Sequence, residues 1–259
     1  MTVRALVSLS VDGMVAEVVL DNPPLNLVTL RMTKELGVVL RRVREMEKVR
    51  AVVVRGEGSR AFCAGSDMRE FEELSKVGPQ EKLLHENDAL RQLHRLPAAT
   101  IAAIEGAALG GGLELALACD LRVVGEGARL ALPECRVGGL ASAGSQWLVR
   151  LVGAGVAKEM LFLGEPIDLQ VARNVGLVTR IVPTGEAASA AKLIAEEVAR
   201  RAPLSIRLAK QLVDRGSELA VDAALAAGLD AQELVFASHD LQEGAQAFFS
   251  RRTPDFKGL

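Results

Sequence analysis

The sequence predicts an α/β fold in which strand pairs alternate with helices and a helical region follows. Three observations support this prediction: short apolar or alternating runs bounded by Gly and Pro, apolar residues at helical spacing between these runs, and a mainly helical final third. The chain has 259 residues, of which 49% are hydrophobic and 25% charged, so it is long enough to bury its own core. This composition excludes a disordered or fibrous chain.

A hairpin and a helix are predicted first. Residues 3–10 and 14–20 alternate apolar and polar on either side of Asp12-Gly13, a pair that is typical of hairpin turns. Apolar side chains then recur every three or four residues from Met32 to Met46, which predicts an amphipathic helix. Two further strands are predicted, at residues 51–55 and 61–65.

The middle of the chain repeats this order of helix and strand. A polar helical stretch at residues 80–95 ends before Pro97, and an apolar strand is predicted at residues 100–104. The glycine run at 110–112 then opens an apolar helix that extends to Ala118. Two short strands follow, at residues 121–124 and 129–132.

The C-terminal part of the sequence is mainly helical. Helices are predicted at residues 154–163, 185–201, 203–216 and 218–249, with one strand at residues 177–182. A boundary near residue 200 separates an α/β catalytic core, residues 1–200, from a helical region, residues 201–259. We expect this helical region to pack on the core and, through its Ala- and Leu-rich stretch, on neighbouring subunits.

Charge and composition exclude nucleic acid as a first hypothesis. Thirty-one basic and 33 acidic residues leave a net charge of -2, so no overall field draws the protein to nucleic acid or anionic lipid. Only 3% of the residues are aromatic, which disfavours recognition of sugars or unpaired bases by stacking. The nearest basic cluster, Arg41, Arg42 and Arg44, is more typical of a solvated helix face than of an RNA-binding helix.

Metal and membrane sites are not expected either. Three histidines and three widely spaced cysteines predict neither a metal site nor disulfides, and reduced thiols favour a cytoplasmic location. The N-terminus has charges and alternation where a signal peptide has a continuous apolar block. The apolar stretch at residues 107–119 is too short to span a bilayer, so we expect no membrane partner.

The glycine run is the first candidate for chemistry. Its amides are predicted to be unpaired donors at a helix N-terminus, where the helix dipole favours a negative atom. Close packing of the helix against a strand would require the same glycines, so the run alone leaves both interpretations open. Ser66, after the sharp turn expected at Ala64-Gly65, is a candidate for a second backbone donor.

Two glutamates stand near these donors in the sequence. Glu114 lies three residues after Gly111 and therefore on the same side of the helix, among apolar neighbours that should desolvate its carboxylate and raise its pKa. An exposed first-turn glutamate is the alternative for this position. Glu134 follows Pro133 directly after a predicted strand, although Pro-Glu also begins ordinary helices.

The order of these features resembles the crotonase superfamily, the enoyl-CoA hydratase/isomerase family. The segment Asn22-Pro-Pro-Leu-Asn26 adds support, and the matching stretches cover residues 61–68, 106–115, 119–120, 133–134, 243–248 and 254–257. The resemblance implies a crotonase-like ββα spiral with a C-terminal helical region that forms a homotrimer or a dimer of trimers. It also implies an acyl-CoA thioester substrate and no cofactor other than the coenzyme A that enters with it.

Carried over by position, the resemblance assigns the oxyanion hole to the amides of Ser66 and Gly111. It assigns the attacking water and the proton delivered to the α-carbon to Glu114 and Glu134, with no metal. The substrate-binding residues that it implies are Pro24, Leu25, Leu27, Ala64, Asp67, Met68, Leu109, Gly110, Pro133, Phe256 and Lys257.

The pair of acids favours hydration over isomerisation. Hydration of a 2-enoyl thioester needs a base for the water at C3 and an acid at C2, whereas moving a double bond needs one group. We therefore expect an enoyl-CoA hydratase, a lyase of fatty acid metabolism. The alternatives are a double-bond isomerase, a hydrolase, a ring-cleaving enzyme, or a non-catalytic acyl-CoA binder.

The sequence departs from the family pattern at two places. Ser66 stands where many relatives carry Ala, which leaves the amide available but adds a hydroxyl to the pocket. Residues 140–145 lack the usual Pro-Gly-x-Gly-Gly of the family. Because this loop borders the acyl side, the sequence leaves the acyl group open.

Overall fold

The computed structural model describes residues 4–71, 80–216 and 218–259. The strands are β1 (Val7–Asp12), β2 (Val15–Leu20), β3 (Ala51–Gly56), β4 (Ala61–Cys63), β5 (Ala99–Ile104), β6 (Ala107–Leu109), β7 (Leu121–Gly125), β8 (Arg129–Ala131) and β9 (Arg180–Val182). The helices are α1 (Leu30–Arg44), α2 (Gln80–His94), α3 (Gly111–Leu117), α4 (Gly144–Leu163), α5 (Leu169–Asn174), α6 (Ala187–Ala199), α7 (Pro203–Gly216), α8 (Val221–Phe236) and α9 (His239–Phe249). A short 3₁₀ helix covers Pro133–Val137.

The strands form two sheets that the chain visits in turn. The larger sheet has the order β1-β2-β3-β5-β7-β9, and the smaller has the order β4-β6-β8. The β1–β2 pair is antiparallel and the other pairs are parallel. Each of the pairs β3–β4, β5–β6 and β7–β8 places one strand in each sheet before a helical segment follows. The fold is therefore the expected crotonase-like ββα spiral.

Both faces of the larger sheet are covered, which explains its apolar strands. All six residues of β5 are buried, as expected for a central parallel strand. One face packs in the main core with α1 and α2, where Leu36 and Leu93 are 3% and 0% exposed. The other face packs against α6, whose Ala191 and Ala195 are fully buried against β-strand residues such as Ile101. Small residues on α6 allow this close approach.

Two predicted helices were wrong in their bounds. Helix α4 begins at Gly144, ten residues before the predicted start, and is kinked at Gly153, where φ is +75°. The glycines around residue 140 suggested a loop, and helix α4 begins directly after them. The predicted helix at 218–249 is two helices, because Ser238 ends one and caps the next by accepting a hydrogen bond from the Leu241 amide.

The predicted strands also differ at several points. Strand β6 and helix α5 were not predicted, and the strand expected at 177–182 is reduced to Arg180–Val182. The amide of Val178 donates to Ala172 O and that of Thr179 to Arg122 O, so these residues bond outside the regular ladder. The first hairpin is present, but β1 runs from Val7 to Asp12, which moves the turn to residues 13–14; residues 1–3 lie outside the described residues.

The helices after residue 200 contact the core at one polar point that bears on the predicted boundary. Lys210 of α7 donates to Asp120 Oδ2 at 2.9 Å, and the Asp120 carboxylate accepts from the Thr100 amide. The division near residue 200 stays a prediction. Among the described residues, no helix is long and apolar enough to cross a membrane.

Candidate functional site

The loop before α1 is hydrogen-bonded to the turn after β4. Val28 N donates to Gly65 O and Asp67 N donates to Val28 O, each at 2.9 Å, while Ala64 N donates to Leu25 O at 3.0 Å. These bonds bring together Leu25, Ala64 and Asp67, three of the residues predicted to bind substrate. They also fix the position of the peptide between Gly65 and the residue that follows it.

Asn26 holds this loop in place, a role that the sequence analysis missed. The residue is buried with φ at +53°, and its side-chain amide donates to Ala61 O and Glu57 O at 2.8 and 3.0 Å. Its Oδ1 accepts from the Asn22 amide. The two asparagines of the Asn22-Pro-Pro-Leu-Asn26 segment were the available signal, since Asn tolerates a positive φ.

The amides of Ser66 and Gly111 lie side by side. A Cβ built on Gly111 would be 3.9 Å from Ser66 N and 3.6 Å from Ser66 Oγ. The turn at Gly65, with φ at +96°, and the start of α3 present these amides to the same small volume. Within the described part of the chain, neither amide has a hydrogen-bond acceptor. The pair is therefore available to bind a negative oxygen.

The glycines beside Gly111 are needed for packing, so both interpretations of the glycine run hold. A Cβ on Gly112 would lie 1.9 Å from Cys63 O, which means that α3 packs directly on the backbone of β4. A Cβ on Gly65 would lie 2.9 Å from Leu109 O. Close packing of these backbones is what brings the two amides together.

Glu114 points into this volume from α3. Its Oε1 accepts a 2.6 Å hydrogen bond from the Gly144 amide, and its Oε2 is 3.9 Å from a Cβ built on Gly111. Burial raises the pKa of Glu114 to about 7, and the negative charge of Glu134 raises it further, against the lowering effect of the Gly144 bond. The prediction of a desolvated glutamate is confirmed, and the exposed alternative was wrong.

Glu134 approaches the same volume from the 3₁₀ helix that follows β8. Its Oε1 would be 2.7 Å from a Cβ built on Gly110, so the carboxyl group lies against the backbone of that glycine. Its Oε2 is buried and has no hydrogen-bond partner among the described residues. Burial raises the pKa of Glu134. An acidic group with a free buried oxygen is thus placed to hold a water molecule.

A narrow cavity begins at these groups and extends between helices α1, α2 and α3. Its volume is about 30 Å³, and both Gly111 and Glu114 line it. The other lining residues are Val28, Met32, Thr33, Leu36, Glu86, Ala89, Leu90 and Leu115. The wall is mainly apolar, as expected for a site that holds a short acyl chain.

The remaining predicted residues lie at different distances from this centre. Leu109 directly precedes the glycine run, and Pro133 directly precedes Glu134. Met68 is 56% exposed on the rim of the Ser66 turn. Pro24 is exposed and Leu27 is half-buried in the loop before α1.

Phe256 and Lys257 pack elsewhere in the subunit. The ring of Phe256 lies 3.4 Å from a Cβ built on Gly244 of α9, and its carbonyl accepts from Arg50. The Lys257 amide donates to Asp240 Oδ1 at 2.7 Å. These contacts attach the C-terminal segment to α9 and to the start of β3, and a contact with coenzyme A stays a prediction.

Three residues near the site were not predicted: Lys82, Glu86 and Gly144. Lys82 is 2% exposed and its ammonium contacts Glu70 and Glu86, while Ser66 Oγ donates to Glu86 Oε1 at 3.4 Å. Residues 80–95 read as a polar helix, which gives no sign that one lysine is buried. Gly144 lies in the loop whose departure from the family pattern was noted, and this departure was the available signal.

Comparisons with known proteins agree with this geometry. The family described as Enoyl-CoA hydratase/isomerase matches residues 11–259. The short-chain-enoyl-CoA hydratase of Clostridium acetobutylicum is 34% identical over 248 residues, which cover 95% of each protein. The enoyl-CoA hydratase structure from Bacillus anthracis superposes with a TM-score of 0.94 at 35% identity, covering 98% of this chain and 100% of that one.

A second solved structure is equally similar. DspI of Pseudomonas aeruginosa superposes with a TM-score of 0.94 at 34% identity, covering 99% of this chain and 98% of that chain. The family match, the sequence relatives and the ββα spiral thus all lead to one assignment. The chain belongs to the enoyl-CoA hydratase/isomerase family of the crotonase superfamily.

Proposed function

We propose that this protein is an enoyl-CoA hydratase, which adds water reversibly across the C2–C3 double bond of a 2-enoyl-CoA thioester. One observation carries the proposal: Glu114 and Glu134 both lie against the glycine run whose Gly111 amide adjoins the Ser66 amide. The family membership shows an enzyme of this class, and the second carboxyl group favours hydration within it.

The two amides supply electrostatic stabilisation. Attack of water at C3 moves negative charge onto the thioester oxygen, which becomes an enolate oxygen. The Ser66 and Gly111 amides are placed to donate to it, and each donor is worth about 3 kcal/mol in the transition state. Because both amides are fixed by backbone packing, they need no reorganisation during the reaction.

The two glutamates supply the proton transfers. One carboxylate accepts a proton from the water as the oxygen bonds to C3, and the other group, protonated, delivers a proton to C2. A pKa of about 7 for Glu114 allows either protonation state near neutral pH. The partnerless Oε2 of Glu134 and the nearby Glu114 carboxyl group are suited to hold the water between them.

The proposed reaction needs no cofactor beyond the substrate. Hydration is redox-neutral, and coenzyme A enters as part of the thioester. We also propose a cytoplasmic homotrimer or dimer of trimers, with Phe256 and Lys257 contacting the coenzyme. The support for assembly is a set of large exposed apolar residues on the C-terminal helices, namely Val213, Val221, Leu225, Leu229, Phe236, Phe248 and Phe249.

Turnover of crotonyl-CoA tests the proposal. We expect hydration by the unaltered protein and a loss of about 10²- to 10⁴-fold in kcat for Glu114→Gln and for Glu134→Gln. Glu81→Gln is the control, since Glu81 is 62% exposed and pairs with Lys34. No hydration by the unaltered protein, or full activity in either site variant, would overturn the assignment.

A panel of thioesters separates the alternatives. Isomerisation of a 3-enoyl-CoA without hydration of any 2-enoyl-CoA would show an isomerase, and release of free coenzyme A would show a hydrolase. Tight binding of acyl-CoA with no turnover of any thioester would show a non-catalytic binder. Mass spectrometry of the products distinguishes these outcomes.

A further inference from the structure

One wall of the acyl cavity carries a charged cluster for which the hydration mechanism has no use. The ammonium of Lys82 lies 2.9 Å from Glu70 Oε2, 3.1 Å from Glu86 Oε1 and 3.3 Å from Val28 O. Lys82 is 2% exposed, so this is a buried arrangement. Glu86 in turn accepts a hydrogen bond from Ser66 Oγ and lines the cavity. The cluster thus connects the oxyanion turn to the acyl site.

The cluster keeps a net negative charge on the cavity side. One ammonium faces two carboxylates, and the Glu70 carboxylate is already engaged by the Leu30 amide at the start of α1. The contacts of Glu86 within the described residues run through Oε1 alone. Its Oε2 therefore retains the capacity to accept a hydrogen bond from a bound molecule.

The rest of the cavity limits the size of that molecule. Its volume of about 30 Å³ holds only a few non-hydrogen atoms. Met32, Leu36 and Leu90 close it with apolar surface. A carboxylate in such a wall loses hydration when a plain alkyl chain fills the cavity, and that loss is offset only if the chain brings a donor.

We propose that Glu86, together with the Ser66 hydroxyl, is a specificity-determining pair that selects short acyl groups carrying a hydrogen-bond donor such as a hydroxyl group. The inference rests on the proposed function, because it takes this cavity as the acyl site. A hydroxyl group on the acyl chain donates to the Glu86 carboxylate, which Lys82 holds in position. An acyl group that ends in a carboxylate is repelled by the same charge.

Binding of saturated thioesters tests the proposal without turnover. Calorimetry would compare 4-hydroxybutyryl-CoA with butyryl-CoA for the unaltered protein, Glu86→Leu and Glu81→Gln. We expect the unaltered protein and Glu81→Gln to favour the hydroxylated ligand by about tenfold or more, and Glu86→Leu to bind both about equally. Equal binding of the two ligands by the unaltered protein, or the same preference in Glu86→Leu, would overturn the proposal.

Two additional measurements keep the result interpretable. Circular dichroism checks that Glu86→Leu folds; if it does not, Glu86→Gln replaces it, and we expect the preference to fall at least about threefold because the charge is lost. An unchanged preference in Glu86→Gln would then overturn the proposal. A preference that depends on Glu86 in a protein that fails to hydrate crotonyl-CoA would refute the hydratase assignment and support this one.

Discussion

The main-chain amide of Gly144 donates a 2.6 Å hydrogen bond to Oε1 of Glu114, a residue 30 positions earlier in the chain. A Cβ built on Gly144 would lie only 2.4 Å from Glu114 Cγ, so this contact requires glycine. The first residue of α4 therefore orients the carboxyl group that α3 places in the site. It also counteracts the desolvation that raises the pKa of Glu114 to about 7.

Gly144→Ala should displace the Glu114 carboxyl group. We expect kcat for crotonyl-CoA hydration to fall by about tenfold or more, with a smaller change in KM, because a small misplacement of a catalytic group costs rate. Gly155→Ala is the matched control: it lies in the same helix, and a Cβ there meets no atom within 4 Å. Wild-type kcat in Gly144→Ala would contradict this role of the loop.

The raised pKa of Glu114 should make stability depend on pH. The folded protein keeps this proton between the ordinary pKa of 4.5 and the folded value of about 7, so the folded state binds more protons there. The free energy of unfolding should therefore decrease as pH rises through this window, by about 3 kcal/mol from this group. Glu114→Gln removes the titration and should flatten the decrease. Urea unfolding at pH 5 and pH 8 measures it, and equal slopes in both proteins would argue against burial as the cause.

Removal of the buried ammonium should destabilise the fold. Lys82→Met leaves the carboxylates of Glu70 and Glu86 without their cation, which should cost about 3–5 kcal/mol of unfolding free energy. The Lys34–Glu81 pair is exposed, so Lys34→Met should cost at most about 1 kcal/mol. Urea denaturation compares the two variants. A similar cost for both would show that Lys82 is solvated in solution.

Assembly should depend on the exposed apolar residues of α8. Light scattering after size-exclusion chromatography should give a mass three or six times the 27.5 kDa of the chain. Leu225 and Leu229 are 64% and 69% exposed, and replacing both with Asp should yield smaller species by placing charge in a subunit contact. Leu193→Asp is the control outside the C-terminal region, at 68% exposure. A monomeric wild-type protein would refute the proposed assembly.

The local features of the site could be predicted because they depend on neighbours in sequence. Gly111 and Glu114 share one helical turn, so the amide and the carboxyl group had to lie on one side of α3. The apolar residues around Glu114 indicated its desolvation. The sharp turn before Ser66 was indicated by Ala64-Gly65, and the structure places φ of Gly65 at +96°.

The features that the sequence did not reveal are contacts between distant segments. Strand β6 has three residues, too few for a periodic signal, and pairs with β4 and β8 only in the folded chain. Burial of Lys82 on an otherwise polar helix arises from the carboxylates that α2 meets across the cavity. Neither feature leaves a local pattern.

The sequence by itself determined the alternation of strand pairs and helices, the pairing of the glycine run with Glu114, and the similarity to the crotonase superfamily. These follow from periodicity and spacing, which act over a few residues at a time. Only the tertiary structure decided that Gly144 orients Glu114 and that Lys82 and Glu86 line the acyl site. Such contacts join residues whose separation in the chain has no relation to their distance in space, so they depend on the packing of the whole fold.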